Sequence, residues 1–501
     1  MQHVSNFLRR ERNRQRTQPL LPRALNEECG VFGIIGHDGD AAPIIALGLH
    51  ALQHRGQEAA GITTYHEGQF YSDKHLGLVA EHFHGEEVLS KLKGNAGIGH
   101  TRYSTTGTGG LRNVQPLYAD LDRGGIAIAH NGNLTNARTL RQQLISKGSI
   151  FHTTSDSELF VQLTALSRGL TMSDKVIDAA RAVEGAYALT VLTRDALIGV
   201  RDPVGIRPLV LGKLGDAHVL ASESCAFDLI GAEFIRDVEP GEVVICGRDG
   251  SLTSRRLTAE VKNPRPCIFE LIYFARPNSF VDGESVYEIR KRLGRVLAEE
   301  SPVEADIVSP IPDSGVPSAI GFAQASGIDY EMALIRSHYS GRTFIQPDQK
   351  IREMGVARKH SANMGVVKGK RVVLVDDSLV RGTTSKKIIE MIRDAGAKEV
   401  HLRIACPPIT HPDFYGIDTP SKEELMAASH TVEEMRDIIG ADSLSFLSLE
   451  GLYKALGKGP RDNLRPAFTD HCFTGDYPTP LSDMANTAEK IEQLSFLREA
   501  R

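Results

Sequence analysis

Cys29 stands in NEECGVFGI, between two glutamates and a glycine-rich apolar run, close to the start of the chain without being at it. Three roles suit such a cysteine: a buried thiol, a metal ligand, or a nucleophile released when the residues before it are removed. The third has its own chemical logic. A cysteine that begins a chain carries a free α-amino group, whose ordinary pKa of about 8 suits it to take the thiol proton and return it. Locked in a peptide bond, the same nitrogen is no base. That chemistry therefore requires cleavage between Glu28 and Cys29.

A second chemical segment is RVVLVDDSLVRGTTSKK. Its four aliphatic residues, Val372 to Val375, read as a buried strand, which leaves Asp376 and Asp377 at the carboxyl end, where parallel sheets bind ligands. Gly382, Thr383 and Thr384 then turn the backbone toward an anion, and the helix that follows adds its positive end. This is a phosphate cradle without a Walker lysine. Two acids beside a phosphate would repel it unless they served another part of the ligand, and a carboxylate pair suits neighbouring hydroxyls, with Mg²⁺ bridging the remaining charge. Between residues 335 and 365 the chain is rich in Arg and Lys and has no long apolar run. That composition fits a solvated surface loop, but it reads better as a lid whose Arg342, Lys350 and Arg352 stabilise charge on a leaving phosphate while excluding water.

These groups need scaffolds. A chain of 501 residues is too long for one ordinary core, so two domains are expected. From Cys29 to about Arg255, short apolar strands alternate with glycine turns (CGVFGIIG, AGIGHTRYS, GGIAIAHNGN, YALTVLTRD), and helical periodicity enters in APIIALGLHALQHRGQ and SDSELFVQLTALSRG. IAIA and LTVL are apolar on both faces, as strands covered on both sides should be. TAEVKNPRP reads as a linker. Beyond it, helix and strand alternate (ESVYEIRKRLGRVLAEE, ADIVSPIP, VPSAIGFAQASG, then the acidic segment and its helix), which argues for a parallel α/β sheet. The residues from about Thr479 read as a loosely held polar tail.

Composition narrows the function. A net charge of -5 gives no general electrostatic reason to bind nucleic acid, and a small polar ligand suits the chain better. No apolar run approaches the roughly 20 residues of a membrane span. The six cysteines form no CxxC pair, as expected of a reducing cytoplasm. The first 23 residues carry six arginines against one glutamate and lack a signal-peptide core; polar coil and an organelle transit peptide both fit them.

VVLVDDSLVRGTT resembles the signature of the type I phosphoribosyltransferases, which bind phosphoribosyl pyrophosphate (PRPP) and displace its pyrophosphate. The turn SPIPDSGVPSA, with Asp313, Ser314 and Gly315, is similar to that family's pyrophosphate loop. The resemblance implies that Ser314, Asp376 and Asp377 surround one Mg²⁺ per subunit, and that Ser378, Arg381, Gly382, Thr383 and Thr384 complete the PRPP site. In the first half, CGVFGI, LQHRGQEAAGI, GIGHTRYSTTG, HNGNLTN and TSDSE together resemble the glutaminase domain of class II amidotransferases, which use an N-terminal nucleophile. On that resemblance Arg102 holds the glutamine carboxylate, Asp156 its amino group, and Asn131 and Gly132 form the oxyanion hole. On the residues alone, Arg102 equally suits a salt bridge, NGN a tight turn and SDSE a helix cap. His54, His100 and His130 read as structural, since the nucleophile would bring its own base.

The two halves in this order, from about Glu28 to Tyr477, resemble the amidophosphoribosyltransferase family. That resemblance implies an αββα sandwich at residues 29–257 and an α/β parallel-sheet phosphoribosyltransferase domain at 267–478. A propeptide-like extension (1–28) and a polar tail (479–501) flank them. It also implies glutamine and PRPP as substrates, transfer of ammonia to PRPP, feedback by purine nucleotides, and a cytoplasmic homotetramer. One subgroup of the family carries a 4Fe–4S cluster. Cys267 occupies one cluster position, but Asp413 stands at another and NLRPAFTDHCFTG lacks the expected CxxC, so no cluster is expected and Cys267 and Cys472 read as ordinary thiols. Cys225, Cys246 and Cys406 read as core. Two rival readings are a glutaminase that delivers ammonia to another acceptor and a PRPP-sensing regulator with a vestigial site. VVLVDDSLVRGTT opposes the first, and the retained Cys29, Arg102, Asn131 and Asp156 oppose the second.

Overall fold

A computed structural model describes residues 29–103, 110–259, 263–337 and 360–485. Strand β1 (Gly30–Ile35) shows why the first half is layered. All six of its residues are buried, yet they serve two cores. Phe32 and Ile34 pack with Ala42, Ile45 and Leu49 of helix α1 (Ala41–Ala51). Val31 and Ile35 join Ala127, Ala129, Leu192 and Leu197 in a second cluster. Side chains alternate along a strand, so a strand apolar on both faces must be covered on both.

With β2 (Ala59–His66) and β3 (Ala96–Arg102), β1 forms the middle of a seven-stranded antiparallel sheet. Its order is Glu233–Asp237, Val210–Leu214, Ala217–Ala221, β1, β3, β2, Gln69–Leu76. The facing sheet has six strands, in the order Leu117–Leu121, β4 (Gly124–Leu134), β5 (Gly185–Thr193), β6 (Ala196–Arg201), Glu242–Gly247, Leu252–Arg256. Helices α2 (Ala137–Ser146), α3 (Glu158–Leu166) and α4 (Met172–Ala182) cover its outer face, where Leu144, Phe160, Val176 and Ile177 meet Ile126, Ile128, Leu189 and Val191. The result is the expected αββα sandwich.

In the second half, α5 (Val286–Glu300), β7 (Ile307–Pro310), α6 (Val316–Ser326), β8 (Arg371–Asp376), α7 (Thr383–Asp394), β9 (Glu399–Ile404) and β10 (Ser443–Phe446) build a parallel sheet ordered β7-β8-β9-β10. Val372 to Val375 are fully buried at its centre, as their aliphatic run requires.

Buried charges join the halves. Arg55 pairs with both Glu223 and Glu270, and Arg207 lies 3.3 Å from Glu270; all four side chains are at most 1% exposed. Arg201 adds a pair with Asp282 at 2.7 Å. The expected linker is tied down at its end: Arg265 is buried, donates its backbone N–H to Val204 O at 2.8 Å, and pairs with Asp476 at 3.1 Å. The start of the expected loose tail is also docked. Asp483 accepts from the Arg138 and Thr139 N–H groups at 2.6 and 3.0 Å, satisfying free donors in the first turn of α2.

Candidate active sites

Cys29 lies immediately before β1, and its Sγ–H donates to the Tyr103 carbonyl at 3.5 Å. Burial pushes the thiol up to about 11, against the pull of the Tyr103 contact and the Arg102 guanidinium; Asp156 and Glu58 add to the rise. Such a thiol is protonated at neutral pH and needs a base to become a nucleophile. Arg102 ends β3, buried, and forms no ion pair among the described residues, so the salt-bridge alternative fails.

Asn131 and Gly132 lie within β4 rather than in a turn. Asn131 is 1% exposed, yet neither its amide N nor its amide O has a hydrogen-bond partner among the described residues. An unsatisfied buried amide is costly, and its retention suits a group that is satisfied only when a ligand arrives. Gly132 has φ +137°, and a Cβ there would lie 2.1 Å from Ala186 O, so no other residue fits this backbone.

Asp156 does not cap α3 either. One carboxylate oxygen accepts from the Leu134 N–H at 3.0 Å and the other lies 3.9 Å from His130 Nδ1, so the group faces β4. The loop that carries it is held by residues the sequence reading passed over. Asn113 exchanges hydrogen bonds with Thr154 at 2.8 and 2.9 Å, and Gln115 joins Ser157 to the His130 N–H at 3.0 and 2.7 Å. The histidines are tied into the fold: His54 pairs with Glu223 at 2.6 Å, and burial pushes His100 down to about 3 and lowers His130. The missed Asn133 reaches the other half, donating to Phe414 O at 2.9 Å beside the contact between Gly416 and Gly132.

In the second half, β8 ends at Asp376, and Asp377 follows. Ile311 N–H donates to Val375 O at 2.8 Å, which brings the Asp313–Gly315 turn against the end of β8 and lets Ser314 hydrogen-bond to Asp377. Ser314, Asp376 and Asp377 are thus gathered. Burial raises both acids; the neighbouring charge adds to the rise at Asp376, while Ser314, Ser378 and Arg290 temper it at Asp377. Arg290 is held below by the Leu271 and Ala275 carbonyls at 3.0 and 2.8 Å, and its burial pushes it down to about 10. Two adjacent carboxylates, one buried and one half-buried, with the Ser314 hydroxyl beside them fit a divalent cation. Gly382 has φ +73° and a Cβ there would meet Met426 Sδ at 2.5 Å; Thr383 and Thr384 are exposed at the first turn of α7. Arg381 turns to Glu424 at 2.9 Å, and Asp313 pairs with Arg336. Arg342, Lys350 and Arg352 lie outside the described residues, as do residues 1–28.

The donors present do not fit a 4Fe–4S cluster. Cys267 and Cys472 are buried in one core, but Asp413 sits with His471 beside Cys472, and no four cysteines converge among the described residues.

Comparison with known proteins follows the same division. A glutamine amidotransferase domain matches residues 100–228, and a phosphoribosyl transferase domain matches residues 283–419. The chain is 57% identical over 469 residues to the amidophosphoribosyltransferase of Rhizobium etli, covering 93% of this chain and 94% of that one. It is 52% identical over 460 residues to the Bacillus subtilis amidophosphoribosyltransferase, covering 92% and 96%. The solved structure of glutamine PRPP amidotransferase from B. subtilis, complexed with ADP and GMP, superposes with a TM-score of 0.85 at 51% identity, covering 90% of this chain and 98% of that one.

Proposed function

The chain belongs to the amidophosphoribosyltransferase family, and from that premise we propose how its residues divide the work. The enzyme is a pentosyltransferase of purine biosynthesis: it takes nitrogen from glutamine and places it on PRPP, giving glutamate, 5-phosphoribosylamine and pyrophosphate. The observation that carries the division of labour is a pair of opposite charges, a buried guanidinium beside Cys29 in one half and an acid pair, one member buried and one half-buried, at the end of β8 in the other.

Removal of residues 1–28 frees the Cys29 α-amine, which takes the proton from a thiol that burial otherwise keeps protonated. The thiolate attacks the glutamine amide carbon. Arg102 receives the substrate carboxylate and Asp156 its ammonium group, and the Asn131 amide with the Gly132 N–H receives the oxyanion. Collapse to the thioester releases ammonia, and water then releases glutamate. Ammonia passes to the second half without entering bulk water, where protonation would remove its lone pair, and displaces pyrophosphate from the ribose anomeric carbon.

In the second half, Asp376 and Asp377 accept from the ribose hydroxyls, and Thr383 and Thr384 at the start of α7 hold the 5-phosphate. Ser314, Asp376 and Asp377 hold Mg²⁺, which when bound neutralises pyrophosphate charge. Arg342, Lys350 and Arg352 cover the leaving pyrophosphate. Ser378, Gly382, Gly315 and Asp313 shape the two loops, and Arg381 completes the PRPP site. Residues 29–257 form the glutaminase unit and 267–478 the transferase unit. The protein works in the cytoplasm as a homotetramer, inhibited by purine nucleotides; the ADP and GMP bound by the B. subtilis relative support the last point.

The test is to incubate the mature protein with glutamine, PRPP and Mg²⁺ and follow glutamate and pyrophosphate. Equal release is expected; glutamate without PRPP-dependent pyrophosphate would sink the coupled reading.

A further inference from the structure

Asp413, His471 and Cys472 form a buried convergence that the reaction does not use. One ligand atom from each, a carboxylate oxygen, a ring nitrogen and the sulfur, lies within 4.8 Å of the other two. His471 Nε2 is 2.9 Å from Asp413 Oδ2 and 3.3 Å from Cys472 Sγ. A tetrahedral ion bound at roughly 2.0 Å to nitrogen and oxygen and 2.3 Å to sulfur needs ligand atoms somewhat over 3 Å apart.

The carboxylate is also aimed. Asp413 Oδ1 accepts from the Tyr415 and Ile417 N–H groups at 2.7 and 2.8 Å, which fixes the plane of the group. Oδ2 faces the imidazole as an ion pair at 2.9 Å, an interaction that holds Asp413 below the usual carboxylate range against its burial, and the side chain is fully buried. A buried carboxylate oxygen, ring nitrogen and sulfur gathered at one point present the three donor types of a mixed metal site.

We propose that Asp413, His471 and Cys472 bind one mononuclear zinc ion, with a water or a further donor in the fourth position. Mixed oxygen, nitrogen and sulfur ligation suits zinc, and thiolate plus carboxylate balance its two charges in a buried site. Binding releases the Cys472 proton to solvent as the S–Zn bond forms, without redox change. The ion staples the two halves, because the loop it fixes is the one whose Phe414 and Tyr415 carbonyls accept from Asn133 and Arg207.

The test uses the full-length protein purified in chelator-treated buffer. Elemental analysis should find about one zinc per chain. Replacing zinc by Co²⁺ should give the visible bands of a tetrahedral ion and a near-ultraviolet sulfur-to-cobalt band. C472S should lose that band, and H471Q and D413N should lose most of the metal, while D376N keeps it. Four outcomes would overturn the site: negligible metal in the wild-type chain with no cobalt spectrum on titration, metal retained in full by C472S and H471Q, loss with D376N alone, or four irons with sulfide. The wild-type cobalt spectrum decides the matter even if a variant fails to fold.

Discussion

The two candidate sites are electrostatic opposites. The sandwich buries Arg102 without an anionic partner among the described residues, close to a thiol that burial keeps neutral; the parallel sheet sets a half-buried Asp376 and a buried Asp377 at the end of β8, with Arg290 tempering the second. On the proposed division of labour, each pocket is unbalanced by the charge its ligand would supply: a carboxylate for the first, a divalent cation with its polyphosphate for the second. They differ in construction too. Asn131 and Gly132 are paired in register with β5 and Arg102 with β2, whereas the acid pair depends on loops at strand ends. A rigid cradle suits a covalent step whose oxyanion must land on fixed donors. Loops suit a large, highly charged substrate that must enter and be covered.

The sharpest way to break this contrast is Cys29→Ala. Glutamine-dependent synthesis should fall on the order of 10⁴-fold or more while ammonia-dependent synthesis at high pH persists; loss of both would mean that the halves are not chemically separable. Asp377→Asn should cost on the order of 10³-fold with either nitrogen donor, since it removes a charge both routes need. Retained activity with ammonia would take Asp377 out of the PRPP site. Asn131→Ala should lower glutaminase kcat about 10²-fold to 10³-fold and leave KM for glutamine little changed, as for removal of one oxyanion donor. A rise in KM alone would recast Asn131 as a binding residue.

The smallest effect is on stability, and it has opposite sign in the two halves. His100 has a folded pKa pushed down to about 3, so between that value and its ordinary 6.5 the unfolded chain binds more protons, and acidification through this window destabilises the sandwich. The acid pair is raised in the folded state, which there binds more protons than the unfolded chain, so stability of the second half falls as pH rises above the ordinary carboxylate range. Hydrogen exchange measured separately for β3 and β8 between pH 4 and 8 reads both trends. Parallel trends would show that the buried charges do not set them.

Much of the frame was legible because the strands carry their environment in their own residues. Val372 to Val375 and the doubly apolar β1, β4 and β5 could sit only between layers. Local motifs misled where a distant partner wins: SDSE looks like a helix cap, yet Asp156 is claimed by the Leu134 N–H, and NGN looks like a turn, yet β5 pairs with it along its length. The joint was not legible at all. Arg55 meets Glu223 and Glu270 across 168 and 215 residues, and no periodicity links positions that far apart. The basic segment containing Arg342, Lys350 and Arg352 stays a reading of composition, since it falls outside the described residues.

The contact between Gly132 and Gly416 reaches beyond this one molecule. A Cβ at Gly416 would stand 3.3 Å from the Gly132 backbone, and Asn133 next door is already bonded to Phe414. Exchanging one half between relatives would therefore succeed or fail at this seam rather than at the linker. For engineering, β4 and the 413–417 loop are expected to need moving as a single unit, although nearly three hundred residues separate them.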